Sequence, residues 1–398
     1  MTLEYLHGIE TIENDDGIRP IQTVKSSVIG LIGTAPAADA AKYPLNEPVL
    51  ILGDRRQYAD LGATGTLPDA MDGIFDQIGA AVVMLRVEEG VDVDATMANI
   101  IGSNADDTGV HAFTKAESHV GYAPRIWCAP GFTSQRPSNG ANPVVSEMRG
   151  IADRRRAVIV ADGPNTTKEA AQTYADDFGS DRIYVIDPAC RVRRGVADVI
   201  EPMSARGAGM IAKRDLTKGF WWSPSNEEIN GILGPARDID YALSDPISEG
   251  NFLNEHQVAT IIRRNGFRLF GNKSLASDPN WQFLSVRRTA DMVYESVEEA
   301  HFWALDRPYS TQLLVDIAES VNAYLRILKS RGAILGGRAW LDPELNPPAQ
   351  LKAGQVMVSY DLEPPAPAER ITFVAYRNDD YYTEMTEAAA REIALLAA

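Results

Sequence analysis

Between residues 23 and 210 the chain repeats one pattern, a short apolar run of strand length followed by a longer amphipathic stretch, and few folds accommodate it. The runs Val24–Gly33, Val49–Leu52, Ala80–Val87, Arg125–Ala129, Ala157–Ala161 and Arg182–Ile186 predict strands. Several are apolar at successive rather than alternate positions, as expected of a sheet covered by helices on both faces. Asp60–Ile78 and Thr166–Phe178 predict intervening helices, the second entered through Asn165-Thr166-Thr167 with Glu169 placed for an approximate capping box. The expectation is an α/β (mixed α+β) body over residues 23–245, divisible into a small 23–95 part and a larger 96–245 part.

From residue 246 to 360 the pattern becomes a hairpin followed by two amphipathic helices, predicting a C-terminal domain. Val258–Arg264 is rich in β-branched residues and Phe267–Phe270 alternates apolar with polar. Asn265-Gly266 between them supplies the two positive-φ positions of a tight type I′ turn. In Thr311–Arg331 the apolar residues Leu313, Leu314, Ile317, Val321, Tyr324, Leu325 and Leu328 recur at helical spacing, and Gly332 is placed to close that helix in a left-handed cap.

Both ends read as arms, residues 1–22 and 361–398. Asp361–Ala368 is broken by Pro364, Pro365 and Pro367, which remove donors and fix an extended backbone, so it predicts a semi-rigid spacer. Arg370–Tyr376 beyond it has strong strand propensity but no hairpin partner, and Ile9–Glu13 with Ile18–Val24 offers a second such element around the Asn14–Gly17 turn. An unpaired strand on a spacer either folds back on its own body or inserts into a neighbour's sheet. Thr386–Ala398 predicts an extra helical tail.

Composition excludes more than it identifies. At 398 residues, 45% of them hydrophobic, the chain can bury a large core, while a formal charge of −17 and pI near 4.8 argue against nucleic acid or an anionic membrane as its main partner. Residues 254–340 are an exception, with 11 Lys and Arg against 9 Asp and Glu, so one region can face an acidic partner. Cys128 and Cys190 each end an apolar run and predict buried reduced thiols. No run approaches the roughly 20 apolar residues of a membrane span, and Met1–Glu10 lacks a basic stretch followed by an apolar one, so the expectation is a chain made and kept in a cytosol.

Several segments resemble one family in the same order. They are Tyr5-Leu6-His7-Gly8-Ile9, Ser26-Ser27-Val28-Ile29-Gly30, Gly219-Phe220-Trp221-Trp222 through Gly231, Leu253-Asn254 with Ile261-Ile262-Arg263 and Gly266-Phe267-Arg268-Leu269-Phe270-Gly271-Asn272, Ala300–Asp306, and Leu351-Lys352-Ala353-Gly354. Together they resemble the contractile tail sheath proteins of bacteriophages and R-type bacteriocins. The resemblance implies a body subtilisin-like in architecture without being a protease, and a structural subunit with no cofactor, no metal and no enzymatic activity. It implies homo-hexameric rings stacked as a helical polymer around a tail tube protein, with baseplate and tail terminator proteins as further partners and neither nucleic acid nor membrane among them. The implied location is a virion tail or bacteriocin particle assembled in the host bacterial cytoplasm. Exchange of terminal arms between subunits would engage Ile9, Ile12, Ile371, Phe373, Val374 and Tyr376. A C-terminal domain set against the tube would make Arg326, Lys329 and Arg331 candidate tube contacts; the alternative is that they only complement the negative end of their helix. One exchanged strand is modest in energy. About five backbone hydrogen bonds at roughly 1 kcal/mol each, with about 2 kcal/mol each for Ile371 and Phe373, are set against about 1–2 kcal/mol per ordered residue, so assembly has to be multivalent.

The competing reading is a cytosolic α/β enzyme with a Gly-rich nucleotide-binding loop, since Gly207-Ala208-Gly209-Met210-Ile211-Ala212 has the Gly-x-Gly-x-x-Ala spacing. It follows Pro202-Met203-Ser204 rather than a clear strand, and a closely packed small-residue helix uses the same spacing. His7, His111, His119, His256 and His301 are scattered and lack zinc-binding context, and no Gly-x-Ser-x-Gly elbow occurs. Asp162-Gly163-Pro164 and Asp187-Pro188 follow strands, where turn geometry favours the same residues as a catalytic crevice does.

Overall fold

The computed structural model describes residues 21–397, so Ile9, Ile12 and all of the first predicted arm but Ile21 and Gln22 lie outside the described residues. The chain forms two compact units that meet at Pro367 and Ala368.

The first unit is organised by a nine-stranded sheet. Its strands are β1 (Ile29–Thr34), β2 (Pro48–Leu52), β3 (Ala81–Val87), β4 (Ile126–Cys128), β5 (Val158–Asp162), β6 (Ile183–Ile186), β9 (Glu227–Glu228), β11 (Val258–Arg263) and β12 (Phe267–Phe270), in the order β2-β3-β1-β4-β5-β6-β11-β12-β9. The run from β3 to β11 is parallel, and β2 and β12 flank it antiparallel. Period-two alternation divides the core cleanly. Val82, Met84, Val158 and Val160 face one layer, where helices α1 (Leu67–Gln77) and α6 (Ser204–Thr217) pack. Val83, Leu85, Ile159 and Ala161 face the other, built from α2 (Val93–Ile101), α3 (Ala116–Val120), α4 (Pro143–Arg155), α5 (Lys168–Asp176) and α7 (Glu249–Glu255). Sheet and helix faces on both sides are buried, so the predicted strands read correctly as two-sided.

Local signals hold where chain geometry decides them. Thr167 caps α5 through its hydroxyl, which accepts from Ala170 N at 3.2 Å. Glu169 stands in its first turn. The segment read as one helix over 60–78 divides into a 3-10 turn at Arg55–Leu61 and α1, because Gly62 and Gly65 at φ 80° and 88° separate them. The first strand starts at Ile29 rather than Val24, since the Ser26 carbonyl accepts from Arg288 at 3.1 Å and residues 26–27 form a turn.

Two expectations need correcting. The hairpin β11–β12, assigned from sequence to a domain starting at 246, belongs to the main sheet: β11 pairs parallel with β6 through Val258↔Val185. Its turn is also one residue longer than predicted. Arg263 pairs with Phe267, leaving Arg264 in the connection, although Asn265 and Gly266 do take positive φ, 49° and 101°.

A smaller three-stranded sheet, β10 (Gly234–Pro235), β7 (Cys190–Arg194) and β8 (Ala197–Glu201), lies beside the body. The C-terminal part of the unit is a third core. In it α8 (Leu284–Ala300) and α9 (Thr311–Ser330) bury Met292, Val293, Val321, Tyr324, Leu325 and Leu328 together with Ile21 and Phe220. Ser310 caps α9 by accepting from Leu313 N at 3.1 Å, and Gly332 closes it at φ 76°. A two-stranded antiparallel sheet, β13 (Gly336–Leu341) and β14 (Val358–Glu363), lies over α9, with the short α10 (Pro348–Lys352) in its connection. Pairing of Asp361, Leu362 and Glu363 in β14 shortens the predicted spacer, which starts at Pro364.

The second unit holds α11 (Asp380–Leu396) preceded by residues without helix or strand. The helix begins six residues before the sequence-predicted tail, where Asn378 Oδ1 accepts from Asp380 N at 2.9 Å and Asp380 meets the positive helix terminus.

Candidate assembly surfaces

The C-terminal core is joined to the sheet by charge. Arg125, Arg156 and Arg182 stand just before β4, β5 and β6, and each meets one carboxylate of α8. Arg125 Nε donates to Glu295 at 2.8 Å, Arg156 Nη2 to Glu298 at 2.6 Å, and Arg182 Nη2 to Asp291 at 3.1 Å. Residues 291, 295 and 298 share one face of a helix, so α8 runs across the starting ends of three strands. Arg287 also donates to Asp291, at 2.8 Å, and Arg288 grips Asp215 of α6 at 2.6 and 2.7 Å. Arg182, Arg288 and Asp291 are buried in this seam.

The two-stranded sheet is an incomplete element. On the β13 side, Asn322 of α9 closes the backbone at Ala339, accepting from its N–H at 2.8 Å and donating to its carbonyl at 3.1 Å. β14 has one strand partner, β13, among the described residues. Tyr360 of β14 packs edge-on against Tyr294, and burial pushes its phenol up to about 12. Beyond the end of β13 the face of α9 stays uncovered. Tyr309, Leu314, Val315, Ala318 and Leu341 line a surface groove of about 500 Å³ there. The open edge of β14 suits an added strand, while the groove at the end of β13 suits apolar side chains.

Arg326, Lys329 and Arg331 cluster at the C-terminal end of α9, all exposed. Arg326 lies 3.7 Å from Glu319, a long and exposed pairing, while Lys329 stands in the last turn and Arg331 at the cap position. Ile371, Phe373, Val374 and Tyr376 belong to the second unit and are exposed, Phe373 by 90%. They form no strand in the single chain, since strand geometry requires a hydrogen-bonding partner and none pairs with them among the described residues. Sequence reasoning missed Trp222, Phe302, Leu305 and Val315, apolar residues that stay exposed. Phe302 and Leu305 lie within the Ala300–Asp306 segment and Trp222 within the Gly219–Gly231 segment, so the signal was the apolar content of those segments.

Chemistry-bearing motifs resolve into packing. Gly207 and Gly209 lie within α6, not in a loop; a Cβ on Gly207 would stand 2.4 Å from Ile186 Cδ1, and one on Gly209 3.0 Å from the Ile74 carbonyl oxygen. The glycines let α6 approach the sheet and α1, which overturns the nucleotide-loop reading. Asp162 is buried at the start of α6 and accepts from Ser204 N at 2.7 Å and Ser204 Oγ at 2.6 Å. Asp187 accepts from Asn165 N at 2.7 Å and Arg237 Nη2 at 2.6 Å. Burial raises both carboxyls above their ordinary range, against the pull of these donors. Cys128 and Cys190 are free and buried, and burial pushes the Cys190 thiol up to about 11. No group of three potential metal ligands occurs among the described residues.

Residues 93–275 match the phage tail sheath protein central domain and residues 276–377 the phage tail sheath C-terminal domain. The chain is 35% identical to a protein of Pseudomonas aeruginosa (strain UCBPP-PA14) named as a prophage major tail sheath protein, over 97% of this chain and 100% of that one. It is 33% identical to the tail sheath protein of Escherichia phage P2, over 96% of this chain and 98% of the relative. Among solved structures, a chain of the anti-feeding prophage baseplate in its contracted state superposes with a TM-score of 0.74 at 16% identity, covering 94% of this chain and 98% of that one. A chain of the PVC sheath complex of an extracellular contractile injection system, also contracted, gives 0.69 at 17%, covering 96% and 100%. At these identities the likeness is one of fold.

Proposed function

Because this chain belongs to the phage tail sheath family, we propose that its role is to polymerise as stacked hexameric rings around a tail tube and to shorten, driving the tube through a target envelope. It is a structural sheath subunit and not an enzyme. The observation that carries the assembly reading is the pairing of an incomplete element with an unsatisfied one. β14 offers an open edge, the face of α9 an apolar groove, and Ile371, Phe373, Val374 and Tyr376 offer strand-forming side chains that have no partner among the described residues. In this reading the C-terminal arm of one subunit, with the N-terminal arm that includes Ile9 and Ile12, extends the β13–β14 sheet of its neighbours. The C-terminal core of α8, α9, β13 and β14 then faces the tube, with Arg326, Lys329 and Arg331 contacting an acidic tube surface, and baseplate and tail terminator proteins close the polymer's two ends. Rings in which every subunit both gives and accepts strands gain multivalent closure that a single pair lacks. The particle would be a phage tail or a bacteriocin, built in the host cytoplasm.

Electron microscopy of the purified protein tests this directly. Tubes are expected from the full chain and discrete monomers from a chain ending at Pro367. Normal tubes from the truncated chain would remove the arm from the mechanism.

A further inference from the structure

The parallel strands give the body a polarity, and two surface patches of opposite character lie at its two poles. Asp162 at the end of β5 caps the start of α6, so α6 runs from the carboxyl ends of the strands back to their starting ends. There Asp215 meets Arg288, whose guanidinium also holds the Ser26 carbonyl just ahead of β1. Trp222, five residues beyond α6, is 46% exposed at this pole, with Leu216 exposed on the last turn. Two cations attend its ring, Arg214 at 5.8 Å and Lys218 at 6.0 Å. Glu227 neutralises Arg214 at 2.7 Å and Lys213 at 3.0 Å, which leaves exposed Lys218 as the cation beside the tryptophan without an ion pair among the described residues.

At the other pole, the loop leaving the carboxyl end of β3 carries Glu88, Glu89, Val91 and Asp92, all exposed, with Val91 99% exposed at its apex and exposed Asp94 in the first turn of α2. Asp92 caps α2 by accepting from Ala95 N at 2.7 Å. The cap and the helix start hold the loop in shape, so Val91 is presented outward by an ordered segment.

We propose that these patches bind each other between two copies of the chain. The Val91 apex of one subunit seats against Trp222 and Leu216 of the next, and Glu88 or Glu89 meets Lys218. A half-exposed tryptophan flanked by cations is the kind of anchor that dominates interfaces, and the acidic rim complements it. Since the patches lie at opposite ends of the parallel strands, they cannot close within a chain. Their contact is head-to-tail and propagates an open polymer instead of a closed dimer. The inference rests on the sheath reading and adds a contact made by the body, independent of the arms.

The test uses full-length protein followed by sedimentation and electron microscopy, with thermal melts to establish that each variant folds. Trp222→Ala, Lys218→Glu and the pair Glu88→Lys with Glu89→Lys are each expected to raise the concentration needed for polymer by about tenfold or more. Combining Lys218→Glu with the double lysine variant is expected to restore most of the loss. Variants that polymerise at the wild-type concentration, or losses that the charge swap leaves unrepaired, would overturn this contact while wild-type tubes preserve the sheath reading. Wild-type protein that never polymerises would sink both.

Discussion

Along α8 the chain buries charge, and along residues 370–396 it exposes apolar side chains. Each is the reverse of ordinary placement, and each is explained by where the partner resides. Asp291 is surrounded by Arg182 and Arg287, and Asp215 is clasped by Arg288, so the ions at the seam are paired within the subunit. Phe373, Tyr376, Ile393 and Leu396 are satisfied by nothing in their own unit. A subunit built this way has a settled interior joint and an unsettled exterior, which is what a building block needs if it is to be rigid in itself and dependent on others.

Deleting charge at the seam should give the largest effect. Asp291→Ala leaves buried Arg182 and Arg287 with only their longer pairings, to Asp153 at 3.6 Å and Asp181 at 3.5 Å, and is expected to destabilise the subunit by about 3–5 kcal/mol in urea unfolding. A change below about 0.5 kcal/mol would show that the seam does not hold the fold. Gly207→Val comes next. Its methyls would enter the space of Ile186 and Val160, and a loss of roughly 1–3 kcal/mol is expected by the same measurement.

At the exterior, Ile371→Ser with Phe373→Ser should move monomer stability by no more than about 0.5 kcal/mol while abolishing tubes in micrographs. A large stability loss would mean these side chains serve the subunit itself, and the comparison would fail at its second term. The smallest effect is reserved for Arg326→Glu with Lys329→Glu. Monomer stability should not change, tube-templated assembly should weaken, and high salt should weaken the wild type in the same way. Normal templated assembly would leave the two residues as complements to the helix terminus.

The sequence was most readable where structure is local. Two-sided apolar runs announced the covered sheet, Thr167 and Gly332 marked helix ends, and the positive-φ pair Asn265-Gly266 marked the hairpin. It was least readable where pairing is remote. Nothing near Val258 reveals that it lies beside Val185, and so the hairpin was assigned to the C-terminal domain instead of the main sheet. The same limit hid the seam. Arg125, Arg156 and Arg182 look like polar boundaries before strands, and only the tertiary fold lines them up opposite residues 291–298. At Arg370–Tyr376 the propensity was legible, but a strand is a relation between two segments, and no second segment pairs with this one among the described residues.

The position of α8 across the beginnings of β4, β5 and β6 has a mechanical consequence. A force pulling the C-terminal helices along the strand direction is divided among three guanidinium–carboxylate joints and passes into three neighbouring strands at once. The interstrand hydrogen bonds then bear it in shear, side by side, where a pull on a single strand end would open them one after another like a zip. The helix works as a crossbar, spreading load from a small domain over the breadth of a large one.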